Sequence, residues 1–344
     1  MITFDIADPT LRAILTLAQR APSVHNTQPW AWCASGNELH LFADLPRGLG
    51  RADPQGRDLV ISCGAVLHHL RVSSAGHGWR ALVRRAPDPF DESHLASVTF
   101  EQHTPTPEDL DAAQWIRERR TDRRRATSWP VPPARLDGLG QLAADQGARL
   151  VPLTSEFRQD RLAAVMREAA EVQESDPAYL AELNRWSGSR GPEGVPEASL
   201  LDEESLRGVP EHRFPSGTLE DVAGDDDDPG YAWALLCTSS DDHLSWLRAG
   251  EALSTVWLTA ASAGLAVVPY SQAVEVTWTR KRLQAELLDD QSCPQVVLRF
   301  GWPPVASEPV PETGRRPVAS VAGPCHHLPE AHPESHLQSH GGRR

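Results

Sequence analysis

The chain has 344 residues, of which 40% are hydrophobic and 23% charged, as expected of a globular protein with one large core or two ordinary ones. Its formal net charge of −14 argues against a general nucleic-acid-binding protein, whose contact surface would be basic. No apolar run reaches the length of about 18 residues that a membrane-spanning helix needs, and the first residues lack the features of a signal peptide, so we expect a cytoplasmic protein.

The first elements in chain order are a helix, a hairpin and a long helix. Asp8-Pro9 predicts a helix start, because aspartate caps the free amides and proline suits the first helical position. A hairpin is predicted over 30–42, with its turn at 35–37. Helical spacing returns over 58–71, where Leu59, Cys63, Val66, Leu67 and Leu70 share one face.

A second long helix, which we expect to start near Leu247, ends like the first one. The first ends in Ser73-Ser74-Ala75-Gly76 and the second in Ala261-Ser262-Ala263-Gly264. A strand-like segment follows each, at 79–83 and at 266–268. Glycine and small residues are common at helix ends, but the matching order of elements also predicts an internal duplication.

We therefore divide the chain into a first half over residues 1–113 and a second half over 114–325. Further strands are predicted at 148–153, 231–238 and 295–300. Residues 175–230, rich in Gly, Pro and acidic side chains and including Asp225–Asp228, predict a lid, a binding loop or disorder. Residues 326–344 are polar and His-rich and predict a disordered tail.

The five cysteines predict free thiols. They are an odd number, widely spaced and without a Cys-x-x-Cys pair, namely Cys33, Cys63, Cys237, Cys293 and Cys325. This pattern is neither that of a disulfide framework nor that of a zinc site. We expect buried, unreactive thiols in a reducing compartment. His68-His69 and the histidines of the tail likewise fix no metal geometry, so no metal site is predicted.

Two segments carry candidate chemistry. Residues 21–30, Ala-Pro-Ser-Val-His-Asn-Thr-Gln-Pro-Trp, form a turn whose hydroxyl, amide and backbone groups could recognise the edge of a planar polar ligand, or could merely satisfy local backbone groups. Residues 117–125 contain six arginines in nine positions of an acidic chain. Such charges repel one another unless an anion offsets them, so this segment is equally consistent with a buried phosphate site and with a solvated basic face.

Together the two segments resemble the flavin-binding motifs of the nitroreductase superfamily, an Arg-Arg-Ser-x-Arg segment and a Pro-Ser-x-x-Asn-x-Gln-Pro-Trp turn. Members of that family are homodimers in which one subunit supplies the arginines and the other the turn. Here the turn precedes the arginines in one chain, which resembles the Acg-like branch, a fused pseudo-dimer that keeps one of two flavin sites. The implied fold is α+β, with each half a mixed, mainly antiparallel sheet flanked by helices, and with a lid inserted at 175–230.

The resemblance implies one FMN per chain and a set of residues that hold it. The arginine segment would bind phosphate and ribityl oxygens through Arg119, Thr121 and Arg123, with Arg120 beside them. Pro22, Ser23 and Val24 would line the isoalloxazine edge, and Asn26 would support the turn. The backbone amides of Ser271 and Gln272 would face flavin N5 and O4. Arg315 and Arg316 fall where the family places its second pair of phosphate-binding basic residues. Trp186 and Gly194-Val195-Pro196 resemble the family's lid.

Three functions remain open at this point. The first is an FMN-dependent oxidoreductase that takes electrons from NAD(P)H and reduces a nitro- or quinone-type acceptor, with no catalytic side chain required. The second is a protein that stores FMN under a closed lid, and the third is a relic that binds none. The resemblance further implies a monomer that binds neither nucleic acid nor membranes.

Overall fold

The computed structural model of the chain describes residues 8–206, 213–221, 230–305 and 307–325. The aspartate run at 225–228 and the predicted tail at 326–344 lie outside these residues. The helices are α1 (Pro9–Ala18), α2 (Arg57–Gly76), α3 (Pro107–Glu118), α4 (Pro133–Asp145), α5 (Glu156–Glu174), α6 (Pro177–Arg185), α7 (Glu203–Leu206), α8 (His243–Ser262), α9 (Gln272–Glu275) and α10 (Thr277–Leu287). The strands are β1 (Trp30–Ser35), β2 (Glu38–Ala43), β3 (Trp79–Arg85), β4 (His94–Gln102), β5 (Arg149–Leu153), β6 (Ser187–Ser189), β7 (Val195–Pro196), β8 (Ala232–Thr238), β9 (Ala266–Tyr270), β10 (Cys293–Gly301) and β11 (Ala322–Pro324).

The two main sheets have the same strand order. The first is β11-β1-β2-β4-β3 and the second is β5-β8-β10-β9. If β11 is set aside, each sheet orders its own strands first, second, fourth, third, and all neighbours in both are antiparallel. A long helix, α2 or α8, connects the second strand to the third in both cases. The predicted duplicated α+β fold is confirmed. The predicted boundary at 113/114 falls within α3 and stays a prediction.

The helices α2 and α8 cross in direct backbone contact. Gly64 and Gly250 lie at the crossing, eight residues into their helices. A Cβ atom at Gly64 would overlap the carbonyl oxygen of Leu247, and a Cβ atom at Gly250 would overlap that of Ile61. Each glycine thus meets the residue three positions before the other glycine, which is the reciprocity of an approximate two-fold axis through the crossing.

The main hydrophobic core surrounds this helix pair and reaches both sheets. Its largest fully buried side chains include Trp30, Trp32, Trp257 and Phe300. Because α2 is covered on several sides, it is buried along most of its length rather than on one stripe. Neither α2, α8 nor any other helix in the described ranges carries a stretch apolar enough to span a bilayer.

The C-terminal strap, which we define as residues 302–305 and 307–325, returns from the second sheet to the first. Its strand β11 pairs in parallel with β1, and the amide of Trp32 donates to the carbonyl of Val321 at 2.6 Å. At its end Cys325 forms a disulfide with Cys33 on β1. The prediction of five free thiols is therefore wrong for these two cysteines. Because β11 pairs with β1, the Cα atoms of Cys33 and Cys325 lie 4.8 Å apart, although the two residues are 292 positions apart in the sequence.

The insertion, defined here as residues 175–206 and 213–221, contains regular elements and packs on the first half. Tyr179 and Leu183 of α6 form a small apolar cluster with Leu49 and Ala52. The Glu182 carboxylate accepts hydrogen bonds from the amides of Arg51 and Ala52 at 2.9–3.2 Å. In the described part of 175–230, the alternative of a disordered loop is wrong, because these contacts bury its apolar side chains.

Candidate functional site

A cavity lies where the α2–α8 crossing meets the turn after α1, the segment after α3 and the insertion. Eleven of the twelve sequence-predicted site residues line it: Pro22, Ser23, Val24, Asn26, Arg119, Arg120, Thr121, Arg123, Ser271, Gln272 and Arg315. The remaining one, Arg316, is not on the wall. Its guanidinium donates to the carbonyl of Gln28 at 3.1 Å and lies 3.4 Å from the Asp44 carboxylate. Two motifs about a hundred residues apart thus meet in one cavity.

The turn at 22–28 is strained and held in place from several sides. His25, Asn26 and Gln28 have φ values of 45°, 54° and 50°, a left-handed region that non-glycine residues rarely adopt. The Ser23 hydroxyl accepts from the backbone amide of Gln28 at 3.0 Å, so it satisfies a local backbone group, as one of the two interpretations of the turn predicts. The contacts of Asn26 are not local. Its side-chain amide donates to the carbonyl of Gly194 in the insertion at 2.9 Å and to that of Gly314 in the strap at 3.3 Å.

Four arginines, Arg20, Arg119, Arg120 and Arg315, form a cluster at one end of the cavity, here called the arginine cluster. Arg119 is 6% exposed, and its Nε and Nη1 have no hydrogen-bond partner among the described residues. Burial, followed by the charges of the other three arginines, holds the pKa of Arg119 well below its usual range. Burial and two of those neighbours likewise lower the pKa of Arg315 to about 9.

The arginine cluster is short of negative charge. In the described part of the chain only Glu312 forms an ion pair with it, reaching Arg20 at 3.1 Å and Arg120 at 3.0 Å, and its side chain is 61% exposed. Buried positive charge with unused donors is stable only when an anion accepts from it. A phosphate monoester fits this donor set, because guanidinium groups bind phosphate oxygens in pairs. The alternative of a solvated basic face does not describe Arg119.

Arg123 lies at a different end of the cavity from the arginine cluster. Burial lowers its pKa to about 10, and the charges of Arg213 and Arg299 add to this effect. Its Nη1 donates to the carbonyl of Ser199 at 3.0 Å, and its guanidinium lies 4.9 Å from the ring centre of Phe214. In the described ranges no carboxylate forms an ion pair with it.

The insertion forms one wall of this second end. Its lining residues are Val195, Pro196, Ser199, Arg213 and Phe214. The Arg213 guanidinium pairs with Glu275 at 2.7 Å and donates to the Ser271 hydroxyl at 3.1 Å, so it ties the insertion to the turn after β9. The Phe214 ring lies 5.4 Å from that of His25, which burial keeps neutral by lowering its pKa.

Several lining residues were not predicted from the sequence. The ring centre of Trp257 on α8 lies 4.4 Å from the Arg119 guanidinium. Asp58, in the first turn of α2, forms an ion pair with Arg57 at 2.7 Å. Burial raises the pKa of Asp58 to about 8. Of these residues, Arg20 could have been proposed from the sequence, because it immediately precedes the turn motif at 21–30. In the described ranges no group of three or more His, Cys, Asp or Glu could hold a metal ion.

The chain is similar along most of its length to proteins of Mycobacterium tuberculosis. It is 40% identical over 316 residues to "Putative NAD(P)H nitroreductase Rv3131", covering 91% of this chain and 90% of that protein. It is 35% identical over 337 residues to "Putative NAD(P)H nitroreductase acg", covering 93% and 96%. It is 36% identical over 324 residues to "Uncharacterized protein Rv3127", covering 90% and 92%. No family model matches the chain.

Solved structures with a similar arrangement are more distant. One is the nitroreductase NfnB of Mycobacterium smegmatis in complex with NADPH, at 14% identity and a TM-score of 0.36, covering 59% of this chain and 94% of that one. Another is a nitroreductase of Desulfitobacterium hafniense with bound FMN, at 11% identity and a TM-score of 0.38, with the same coverage of 59% and 94%.

Proposed function

The chain belongs to the Acg-like branch of the nitroreductase superfamily, and from that premise we propose that it is an oxidoreductase with one FMN per chain, which carries electrons from NAD(P)H to a nitro- or quinone-type acceptor. The observation that carries the proposal is the buried arginine cluster with its unused donors. FMN, when bound, accepts a hydride equivalent at N5 and passes the electrons on. The protein supplies position, charge and exclusion of water.

Different cavity residues bind different parts of the cofactor. Arg119, Arg120 and Arg315, with Arg20, hold the phosphate, and Thr121 adds a hydroxyl donor beside them. Pro22, Ser23 and Val24 line the ring edge, and Asn26 keeps their turn in its strained form. The backbone amides of Ser271 and Gln272, at the end of β9, face the reacting edge of the ring.

We assign Arg123 to the ring and not to the phosphate, unlike the assignment from the motif alone. Its guanidinium lies 4.9 Å from the ring centre of Phe214 and donates to the carbonyl of Ser199, both in the insertion. A fixed positive charge in a buried site stabilises negative charge that develops on a ligand nearby. We assign no cofactor contact to Arg316, since it lies off the cavity wall.

The difference between the two halves supports one cofactor per chain. The crossing at Gly64 and Gly250 relates α2 to α8 by 186 positions, so the counterpart of Trp257 in the other half is Arg71. Arg71 contacts Glu251 at 3.0 Å, and Arg85 contacts the same carboxylate at 2.6 Å. This ion-pair network around the buried Glu251 carboxylate takes the place of an aromatic side chain that could support an arginine cluster, and the fused halves further suggest a monomer.

A second candidate is an FMN store, and one observation favours it. The insertion is held to the turn by mutual hydrogen bonds, because Asn26 donates to the carbonyl of Gly194 and accepts from its amide at 3.3 Å. Gln28 donates to the carbonyl of Pro192 at 2.7 Å. A wall fixed in this way would keep nicotinamide and acceptor away from the ring.

Flavin absorbance and anaerobic reduction test the two candidates. We expect the purified protein to be yellow, or to become so with added FMN, and its flavin to bleach within seconds when NADPH or NADH is mixed in anaerobically. A protein that stays colourless with excess FMN would defeat both candidates. Bleaching by dithionite alone would defeat the oxidoreductase and favour the store, and removal of residues 190–206 should then allow NAD(P)H to reduce the flavin.

A further inference from the structure

The C-terminal strap joins the phosphate end of the cavity to a disulfide on the far sheet. It starts after β10 in the second sheet and ends at Cys325, bonded to Cys33 in the first. Between these points it carries Thr313 and Arg315 into the cavity wall. Glu312, the counter-ion of the arginine cluster, also lies on the strap. One covalent bond thus closes a segment that contributes directly to the phosphate site.

The strand at the strap's end is short. Strand β11 has three residues and, among the described residues, pairs only with β1. The side chains of Val318 and Val321 are buried, but the strand itself is partly exposed. A short edge strand opens easily, since few hydrogen bonds resist its separation. The disulfide is therefore the strongest tie at this end.

Arg316 joins the upstream part of the strap to that end, because its guanidinium donates to the carbonyl of Ser320 at 2.9 Å while its backbone amide donates to the Gln28 side chain at 2.8 Å. Arg315 donates to the carbonyl of Arg20 at 3.1 Å, and Gly314 accepts from the Asn26 side chain. Burial and the like charges of Arg20 and Arg120 oppose keeping Arg315 in this place, as its lowered pKa shows. A charge that is repelled by its surroundings moves toward water when its backbone is released.

We propose that the Cys33–Cys325 disulfide is a redox latch on the cofactor site: a dithiol reductant opens it, the end of the strap detaches, and Arg315 loosens its hold on the cofactor phosphate. The inference rests on the proposed function for its ligand, FMN. The device responds to the thiol state of the surroundings and is independent of the electron transfer at the flavin.

The chemistry is ordinary thiol–disulfide exchange. A thiolate of the dithiol attacks the sulfur of Cys325, which is partly exposed, and the S–S bond breaks with Cys33 leaving as a thiolate. The second thiol of the reductant then attacks the mixed disulfide and releases Cys325. The dithiol loses two electrons and becomes a disulfide, and the two cysteine thiolates take up two protons.

The test compares FMN affinity in the two thiol states of the whole chain. Titration of thiols in the denatured protein should give three before reduction, from Cys63, Cys237 and Cys293, and five after it. Titration of FMN by fluorescence should give a Kd about tenfold weaker after reduction with a dithiol, a loss of about 1.4 kcal/mol. Equal affinities in both states would overturn the latch, as would five thiols without reductant.

Variants separate the latch from general thiol effects. Cys33→Ser and Cys325→Ser should each bind FMN like the reduced wild type and should not respond to the dithiol. Cys293→Ser, which changes a free and partly exposed cysteine, should keep the tenfold response. A response that survives in Cys325→Ser would refute the assignment.

Hydrogen exchange of the strap without FMN gives a readout independent of the ligand. Reduction should speed exchange in β11 and in β1 opposite it, while the second sheet stays unchanged. Should neither thiol state bind FMN, the proposed function fails, and the exchange experiment still decides whether the disulfide holds the strap. Unchanged exchange on reduction would overturn the latch even in a protein that binds FMN.

Discussion

Arg119→Met should raise the free energy of unfolding of the FMN-free protein and lower its affinity for FMN. Methionine keeps much of the apolar stem over Trp257 and removes the guanidinium. In the empty protein that guanidinium is buried against three other cations, and two of its nitrogens have no hydrogen-bond partner in the described ranges. With the phosphate bound, the same two nitrogens would be donors. The substitution should therefore stabilise the protein without FMN and destabilise the complex with FMN.

The expected magnitudes follow from charge and hydrogen bonding. Two like charges repel by about 4 kcal/mol at about 4 Å and an effective dielectric constant of about 20, and by less at larger separations. Glu312, which pairs with Arg120 at 3.0 Å, offsets part of the repulsion. We expect the free energy of unfolding of the empty protein to rise by about 1 kcal/mol. Each hydrogen bond to a charged group contributes about 1.5–3 kcal/mol, so the loss of two should raise the Kd for FMN roughly 100-fold or more.

Thermal unfolding with and without FMN measures both effects in one assay. The variant should unfold about 2 °C higher than the wild type when empty, and FMN should produce little further shift. Arg117→Met is the matched control, because Arg117 belongs to the same basic segment but is exposed on the last turn of α3. A variant that is destabilised when empty and still binds FMN with wild-type affinity would refute the phosphate assignment.

Three further predictions concern the scaffold. Gly250→Ala should lower the free energy of unfolding by about 3 kcal/mol in chemical denaturation, because its Cβ would overlap the carbonyl of Ile61, whereas Gly138→Ala, in open space on α4, should raise it by about 0.5–1 kcal/mol; equal effects would contradict the helix crossing. Burial lowers the pKa of His68 from 6.5 to about 3, so the unfolded chain binds more protons between these values. Stability should fall by up to about 1.4 kcal/mol per pH unit as the pH drops from 6.5 toward 3, and unfolding curves of His68→Gln should lack that part of the slope. Glu251→Gln should destabilise the protein by about 3 kcal/mol in the same assay, since it leaves two arginines without their buried carboxylate; a neutral effect would show that the network is not needed.

The sequence predicted the local elements and the meeting of the two motifs. Asp8 caps α1 as expected, accepting from the amides of Thr10 and Leu11. The hairpin of β1 and β2 turns where its glycine predicts. Helix α8 begins at His243, four residues before the predicted start, because Asp242 supplies the cap. These features depend on neighbours within a few positions, which periodicity and capping patterns record.

What the sequence could not predict depends on contacts between distant segments. Cys33 and Cys325 meet only because β11 crosses to the first sheet. Arg213 and Phe214 reach the cavity because the insertion folds back over it, and nothing in their local sequence marks them as site residues. Arg119 and Arg123 lie four positions apart in one motif but contact different aromatic rings, Trp257 on α8 and Phe214 in the insertion.

Fusion of the two halves allows equivalent positions of α2 and α8 to carry different residues. In a symmetric dimer every substitution appears at both equivalent positions, so filling one site fills the other. In the fused chain α2 and α8 vary separately. Leu67 and Leu253 remain alike at equivalent positions, whereas Arg71 and Trp257 do not. Arg71 forms an ion pair with Glu251, whereas its counterpart Trp257 lies under the guanidinium of Arg119 in the arginine cluster. This difference between equivalent positions is what the proposal of one cofactor per chain requires.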